Sequence, residues 1–133
     1  KEASPDPERL SQLKNKIHDE SFFLYSGDDL TACKFLNGGG HGIISVTANV
    51  VPEKISKICE LALSGLAKEA IQADSKITNL HDSLFIETSP IPVKWVLNRL
   101  GRIPPGIRLP LTILDEEYVP KIELILNKLG LTN

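Results

Sequence analysis

Methionine is missing altogether from the 133 residues, and cysteine, tyrosine and tryptophan are scarce, at two, two and one. With no methionine the chain has no initiator residue. It opens directly on Lys1-Glu2-Ala3, so we expect a fragment of a longer polypeptide. No signal peptide is visible at this start, and a cytoplasmic location is the expectation. No apolar run approaches the roughly 18–20 residues that a membrane-spanning helix needs, which argues against a membrane protein. An excess of one charge is missing too. Fifteen Lys and Arg stand against 17 Asp and Glu, a net charge of −2, and no basic face argues for nucleic acid. Cys33 and Cys59 lie in apolar, helix-like runs and read as reduced core thiols. No Cys/His spacing fits a zinc site.

What is present is ordinary for a globular chain: 41% hydrophobic and 24% charged residues, enough for one compact domain with a core. Pro5-Asp6-Pro7 is a turn leading into a helix, with Pro7 near its first position, and the spacing of Leu10, Leu13 and Ile17 predicts that helix over 7–18. The apolar run 22–25 reads as a buried strand. Ser26-Gly27-Asp28-Asp29 is a turn ending in capping residues, before a short helix over 30–36 that stops at Asn37-Gly38-Gly39-Gly40. Residues 42–46 read as a second buried strand. A helix opening at Pro52 carries the stripe Ile55, Ile58, Cys59 and Ala62.

Helix, strand, helix, strand, helix is the pattern of a parallel sheet with helical crossovers. Two strands are too few to stand alone, a second sign of upstream sequence. After Gly65 the pattern becomes helical. One long amphipathic stretch covers 66–84, a helix covers 93–100 and ends at Gly101, and 103–110 is a proline-rich loop. A last helix runs over about 116–129 with Val119, Ile122, Ile125, Leu126 and Leu129 on one stripe, ended by Gly130. We divide the chain into 1–65 and an all-helical appendage, 66–133.

Several of these segments resemble the dihydrodipicolinate synthase and N-acetylneuraminate lyase family. Lys1-Glu2-Ala3 looks like the end of its Schiff-base lysine motif. Ser26-Gly27-Asp28-Asp29 resembles the turn after its seventh strand, and the stretch from Gly39-Gly40-His41-Gly42 through Asn49 its eighth strand and following turn. Pro90-Ile91-Pro92-Val93-Lys94-Trp95 and Leu109-Pro110-Leu111 resemble its helical C-terminal domain. The Ser-Gly-Asp-Asp, Gly-Gly-His-Gly and Pro-Ile-Pro-Val-Lys-Trp stretches point to the synthase branch rather than the sialic acid lyases. The resemblance implies an α/β fold: strands six to eight of a (β/α)8 TIM barrel in 1–65, then a three-helix C-terminal domain in 66–133.

The resemblance also assigns chemistry. Lys1 becomes the catalytic lysine of a lyase, forming an imine with pyruvate that passes to an enamine. A lysine must lose its proton to attack a ketone, and burial or a neighbouring cation makes that possible near neutral pH. Ile44 offers its backbone carbonyl to pyruvate, its side chain serving only as barrel packing. Gly27, at the C-terminal end of strand seven, lies on the active-site face of a barrel and permits close backbone approach to substrate. Asp28 and Asp29 read as helix-capping residues before they read as an acid–base pair. His41 precedes strand eight and falls at the stability face, and Trp95 packs the helical region. Gly38-Gly39-Gly40 follows a helix and cannot act as a phosphate loop.

The implied reaction condenses pyruvate with L-aspartate 4-semialdehyde in lysine and diaminopimelate biosynthesis, without metal or organic cofactor, in a cytoplasmic homotetramer. The family's relay tyrosine, its carboxylate-binding threonines and its arginine for the second substrate lie upstream, so the N-terminal half of the same polypeptide is required. Two alternatives remain: another pyruvate-dependent aldolase such as a sialic acid lyase, and a non-catalytic helical interaction fragment with its open strand edge completed by a partner.

Overall fold

The computed structural model describes residues 1–6, 8–19 and 21–132, and its sheet is parallel. Tyr25–Ser26 (β1) pairs with Gly42–Ile43 (β2), with Tyr25 opposite Gly42 and Ser26 opposite Ile43. Glu2 forms a further parallel bridge with Ser26. The ladder outruns the strands themselves. Tyr25 O accepts from Glu2 N at 2.8 Å, Glu2 O from Gly27 N at 2.7 Å, Leu24 O from His41 N at 2.8 Å, and Ser26 O from Ile44 N at 2.8 Å. Parallel neighbours need a crossover. Arg9–Lys14 (α1) lies between Glu2 and β1, and Asp29–Asn37 (α2) between β1 and β2.

Both strands are shorter than the apolar runs that announced them. Phe22 and Phe23 are exposed and only Leu24 of the run 22–25 is buried. Phe22 N is turned back onto Asp19 O, so pairing begins only near Leu24. At the far end of β2, the Val46 and Thr47 amides donate to the Asp29 carboxylate rather than to a strand. The first helix is also shorter than expected. Asn15 caps it after Lys14, and only Leu10 of its stripe is buried, too little apolar contact to hold more turns. The placement of Pro7 at its start lies outside the described residues.

Beyond a 3₁₀ turn at Thr47–Asn49 come Pro52–Leu63 (α3), Ala67–Ser75 (α4), Thr78–Ser83 (α5), Ile91–Arg99 (α6) and, after a second 3₁₀ turn at Glu116–Tyr118, Val119–Lys128 (α7). The single stretch expected over 66–84 is therefore two helices, and four α-helices rather than three follow Gly65. The break at Lys76-Ile77 turns Ile77, Leu80 and Leu84 into the core, which one straight helix would spread around its circumference. Gly101 and Gly130 carry φ of +69° and +68° just past α6 and α7, the left-handed geometry that ends helices. One buried cluster joins Cys33 and Leu36 of α2, Ile55, Ile58 and Ala62 of α3, Leu80 and Leu84, Val93 and Val96 of α6, and Ile122, Ile125 and Leu126 of α7.

Candidate functional site

Glu2, Ser26 and Ile43 stand in one row across the sheet. Side chains alternate faces along a strand. Leu24 and Ser26 are buried on the helix side, whereas Lys1, Tyr25 and Ile44 are exposed on the other. Gly27 and Gly42 fall by alternation on that second face. It is the face on which the three sequence-predicted residues, Lys1, Gly27 and Ile44, come together.

The closest contact there is between Lys1 and Gly27. A Cβ built on Gly27 would lie 2.8 Å from Lys1 Cγ and 3.0 Å from Lys1 Cδ, closer than carbon atoms pack. The glycine leaves room for the lysine stem. What approaches the glycine in this chain is the Lys1 side chain. Gly42 has the same relation to Tyr25, whose Cδ1 would stand 2.7 Å from such a Cβ. Sequence reasoning passed over Tyr25, although its position two residues before Gly27 puts it on the same face. Ile44 donates its amide to Ser26 O. Its side chain is 55% exposed.

The turn after β1 separates its two aspartates. Asp28 caps α2, its Oδ2 accepting from Thr31 N at 3.0 Å and from the Thr31 hydroxyl at 2.6 Å. Asp29 does not cap. It is buried, and its Oδ2 accepts from Val46 N at 3.0 Å and Thr47 N at 3.1 Å, while Oδ1 has no partner among the described residues. One carboxylate thereby fastens the segment after β2 to the turn after β1. No spacing rule could have found this, because the partners are 17 and 18 residues apart.

The same segment is tied to the helices. Thr47 Oγ1 lies 2.7 Å from His81 Nδ1 on α5, and His81 Nε2 lies 3.4 Å from Asp74 Oδ1 on α4. The Arg102 guanidinium donates to Val50 O at 2.6 Å and Asn49 O at 3.2 Å. His41 sits at the opposite end of the strands, where its Nδ1 accepts from Leu24 N at 2.9 Å and continues the ladder, in keeping with a structural reading. Both cysteines are free thiols. Burial, with the Asp74 carboxylate adding to it, pushes the Cys33 thiol up to about 11, and burial raises Cys59 as well. No helix is long and apolar enough to cross a membrane among the described residues.

The parallel pairing and the helical crossovers are features of an α/β fold. The solved structures that match are of TIM-barrel proteins and superpose on almost the whole chain. The chain belongs to the dihydrodipicolinate synthetase family, whose model matches residues 1–129. It is 50% identical over 121 residues to the 4-hydroxy-tetrahydrodipicolinate synthase of Psychromonas ingrahamii, covering 90% of this chain and 41% of that protein. It is 47% identical over 131 residues to that of Coxiella burnetii, covering 98% and 44%. Among solved structures, the chloride-inhibited dihydrodipicolinate synthase of Acinetobacter baumannii, complexed with pyruvate, matches at 41% identity with a TM-score of 0.94, covering 99% of this chain and 45% of that one. The Aquifex aeolicus synthase matches at 36% identity with a TM-score of 0.94, covering 98% and 44%. The chain thus spans less than half the length of the relatives it matches.

Proposed function

We propose that the parent protein condenses pyruvate with L-aspartate 4-semialdehyde through an imine on Lys1, as a 4-hydroxy-tetrahydrodipicolinate synthase of lysine and diaminopimelate biosynthesis. The observation that carries this reading is the Lys1 side chain laid over Gly27 on the face shared with Ile44. The names of the curated relatives support the synthase rather than a sialic acid lyase.

In this reading residues 1–65 supply strands six to eight of the barrel, with Lys1 on the sixth, and 66–133 form the helical C-terminal domain. The upstream half completes the barrel and closes over the exposed face. It brings the remaining substrate ligands and removes water from the Lys1 amine. The assembled enzyme works as a cytoplasmic homotetramer.

The chemistry follows from the lysine. Neutral Nζ adds to the pyruvate ketone, and loss of water leaves a protonated imine. That cation draws electrons from the neighbouring methyl group, which loses a proton to give an enamine. The enamine carbon attacks the aldehyde of the second substrate. Its amine then closes on the imine carbon and displaces Lys1. The Ile44 carbonyl edge and the Gly27 backbone hold the pyruvate moiety against the amine, which is a matter of positioning.

Borohydride reduction of the full-length protein with pyruvate tests the reading. A pyruvyl adduct on the Lys1 peptide is expected, and its absence refutes imine chemistry. A coupled assay of aspartate semialdehyde against N-acetylneuraminate then fixes the partner, with turnover of the first expected.

A further inference from the structure

We infer that His81 is a positioning residue, which holds the pyruvate-binding end of the second strand in place from the helical region through the Thr47 hydroxyl. This rests on the proposed role of the Ile44 carbonyl.

The segment 44–50 leaves the sheet at Ile44 and turns through Thr47–Asn49 into α3. Most of its amides donate close by. Ile44 N donates to Ser26 O, Val46 N and Thr47 N to Asp29, and Ala48 N to the Ser45 hydroxyl. These bonds fix the segment against the turn after β1. They leave free how far the turn leans toward the helices.

Thr47 supplies that constraint, beside Arg102 on the Asn49 and Val50 carbonyls. Thr47 is 0% exposed and His81 1% exposed, so an unpaired hydroxyl there is costly. The Asp74 carboxylate faces Nε2 at 3.4 Å. Nε2 makes no hydrogen bond among the described residues, so the ring's one short polar contact is the 2.7 Å pairing of Nδ1 with the Thr47 hydroxyl. That pairing holds the turn three residues after Ile44. A hydroxyl in hydrocarbon without an acceptor is costly, so the turn moves when His81 is lost. A shift of the Ile44 carbonyl weakens the hold on pyruvate before it harms later steps.

The test uses the full-length protein and five variants. Thr47→Val removes the hydroxyl at constant shape, and Thr47→Ser keeps it. His81→Asn keeps an acceptor at the δ1 position, His81→Gln offers one only farther out, and His81→Leu offers none. Two quantities are read: the pyruvate concentration that half-saturates the borohydride-trapped Lys1 adduct, and amide exchange over 44–50. In T47V, H81Q and H81L we expect the half-saturating pyruvate concentration to rise on the order of tenfold, with kcat largely kept and exchange accelerated. T47S and H81N should stay near the unsubstituted protein in both. The inference is overturned if pyruvate saturation is unchanged in every variant while melting temperatures fall, or if H81N behaves as H81L. Absence of any adduct in the unsubstituted protein sinks the functional reading instead. Unaccelerated exchange in T47V and H81L then overturns the coupling by itself.

Discussion

Lys1 lies over Gly27 so closely that a methyl group on the glycine would stand 2.8 Å from Lys1 Cγ. The two residues are 26 apart in sequence and meet because Glu2 and Ser26 pair in parallel. Their contact makes the glycine a steric condition for the lysine's placement, independent of any special backbone angle. In the full-length protein, Gly27→Ala is expected to lower kcat/KM by about 10- to 100-fold through displacement of the amine. Melting temperature should change little, because the methyl group meets only the flexible side chain of Lys1. Steady-state kinetics beside a thermal melt checks both.

Asp29 is expected to matter for stability. Asp29→Ala strips two buried amides of a charged acceptor and should cost about 1.5–3 kcal/mol. Asp29→Asn can place its single carbonyl oxygen at the same amides and its NH₂ where Oδ1 now stands, so it should cost much less. Urea unfolding of the two full-length variants measures the difference.

Cys33 should be inert in the folded protein. With its thiol at about 11, only ~0.1% is thiolate at pH 8. Iodoacetamide should leave it unmodified until the chain is unfolded, as peptide mass mapping would show. The ordinary value is 9.0 and the folded value lies above it. The unfolded thiol therefore loses its proton first, and the stabilisation is complete below pH 9 and disappears as pH rises toward 11. Across that window the unfolding free energy should fall more steeply than in Cys33→Ala.

Leu126 is 0% exposed at the centre of the cluster that joins α7 to the rest. Leu126→Ala should cost about 2–5 kcal/mol, according to how far the site collapses. Leu124, on the same helix but 55% exposed, should tolerate alanine. Parallel denaturation curves of the two variants provide the comparison.

Helix positions were readable in the sequence where periodicity and stop signals agreed. Of the stripe Ile55, Ile58, Cys59 and Ala62 on α3, all are buried except the half-buried Cys59, and Gly101 and Gly130 end their helices. Strand lengths were not readable. An apolar run such as 22–25 shows what can be buried, while pairing depends on which backbone lies opposite. The break between α4 and α5 was hidden as well, since a continuous apolar pattern does not reveal that two faces of the core must be met in turn. In the candidate site, Lys1, Gly27 and Ile44 were singled out through motifs. Tyr25, Asp29 and His81 were not, for their meaning lies in partners far along the chain.

The order of helix and strand over 1–65, the helix stops at Gly101 and Gly130, and the residue types able to do amine chemistry were determined by the sequence alone, because each depends on neighbours a few positions away. Only the tertiary structure decided that a lysine stem rests on a glycine, that one aspartate grips the amides beyond the next strand, and that a buried histidine joins that strand to the helices. Those relations arise from parallel pairing and from packing across the core, which bring together residues that local sequence leaves unrelated.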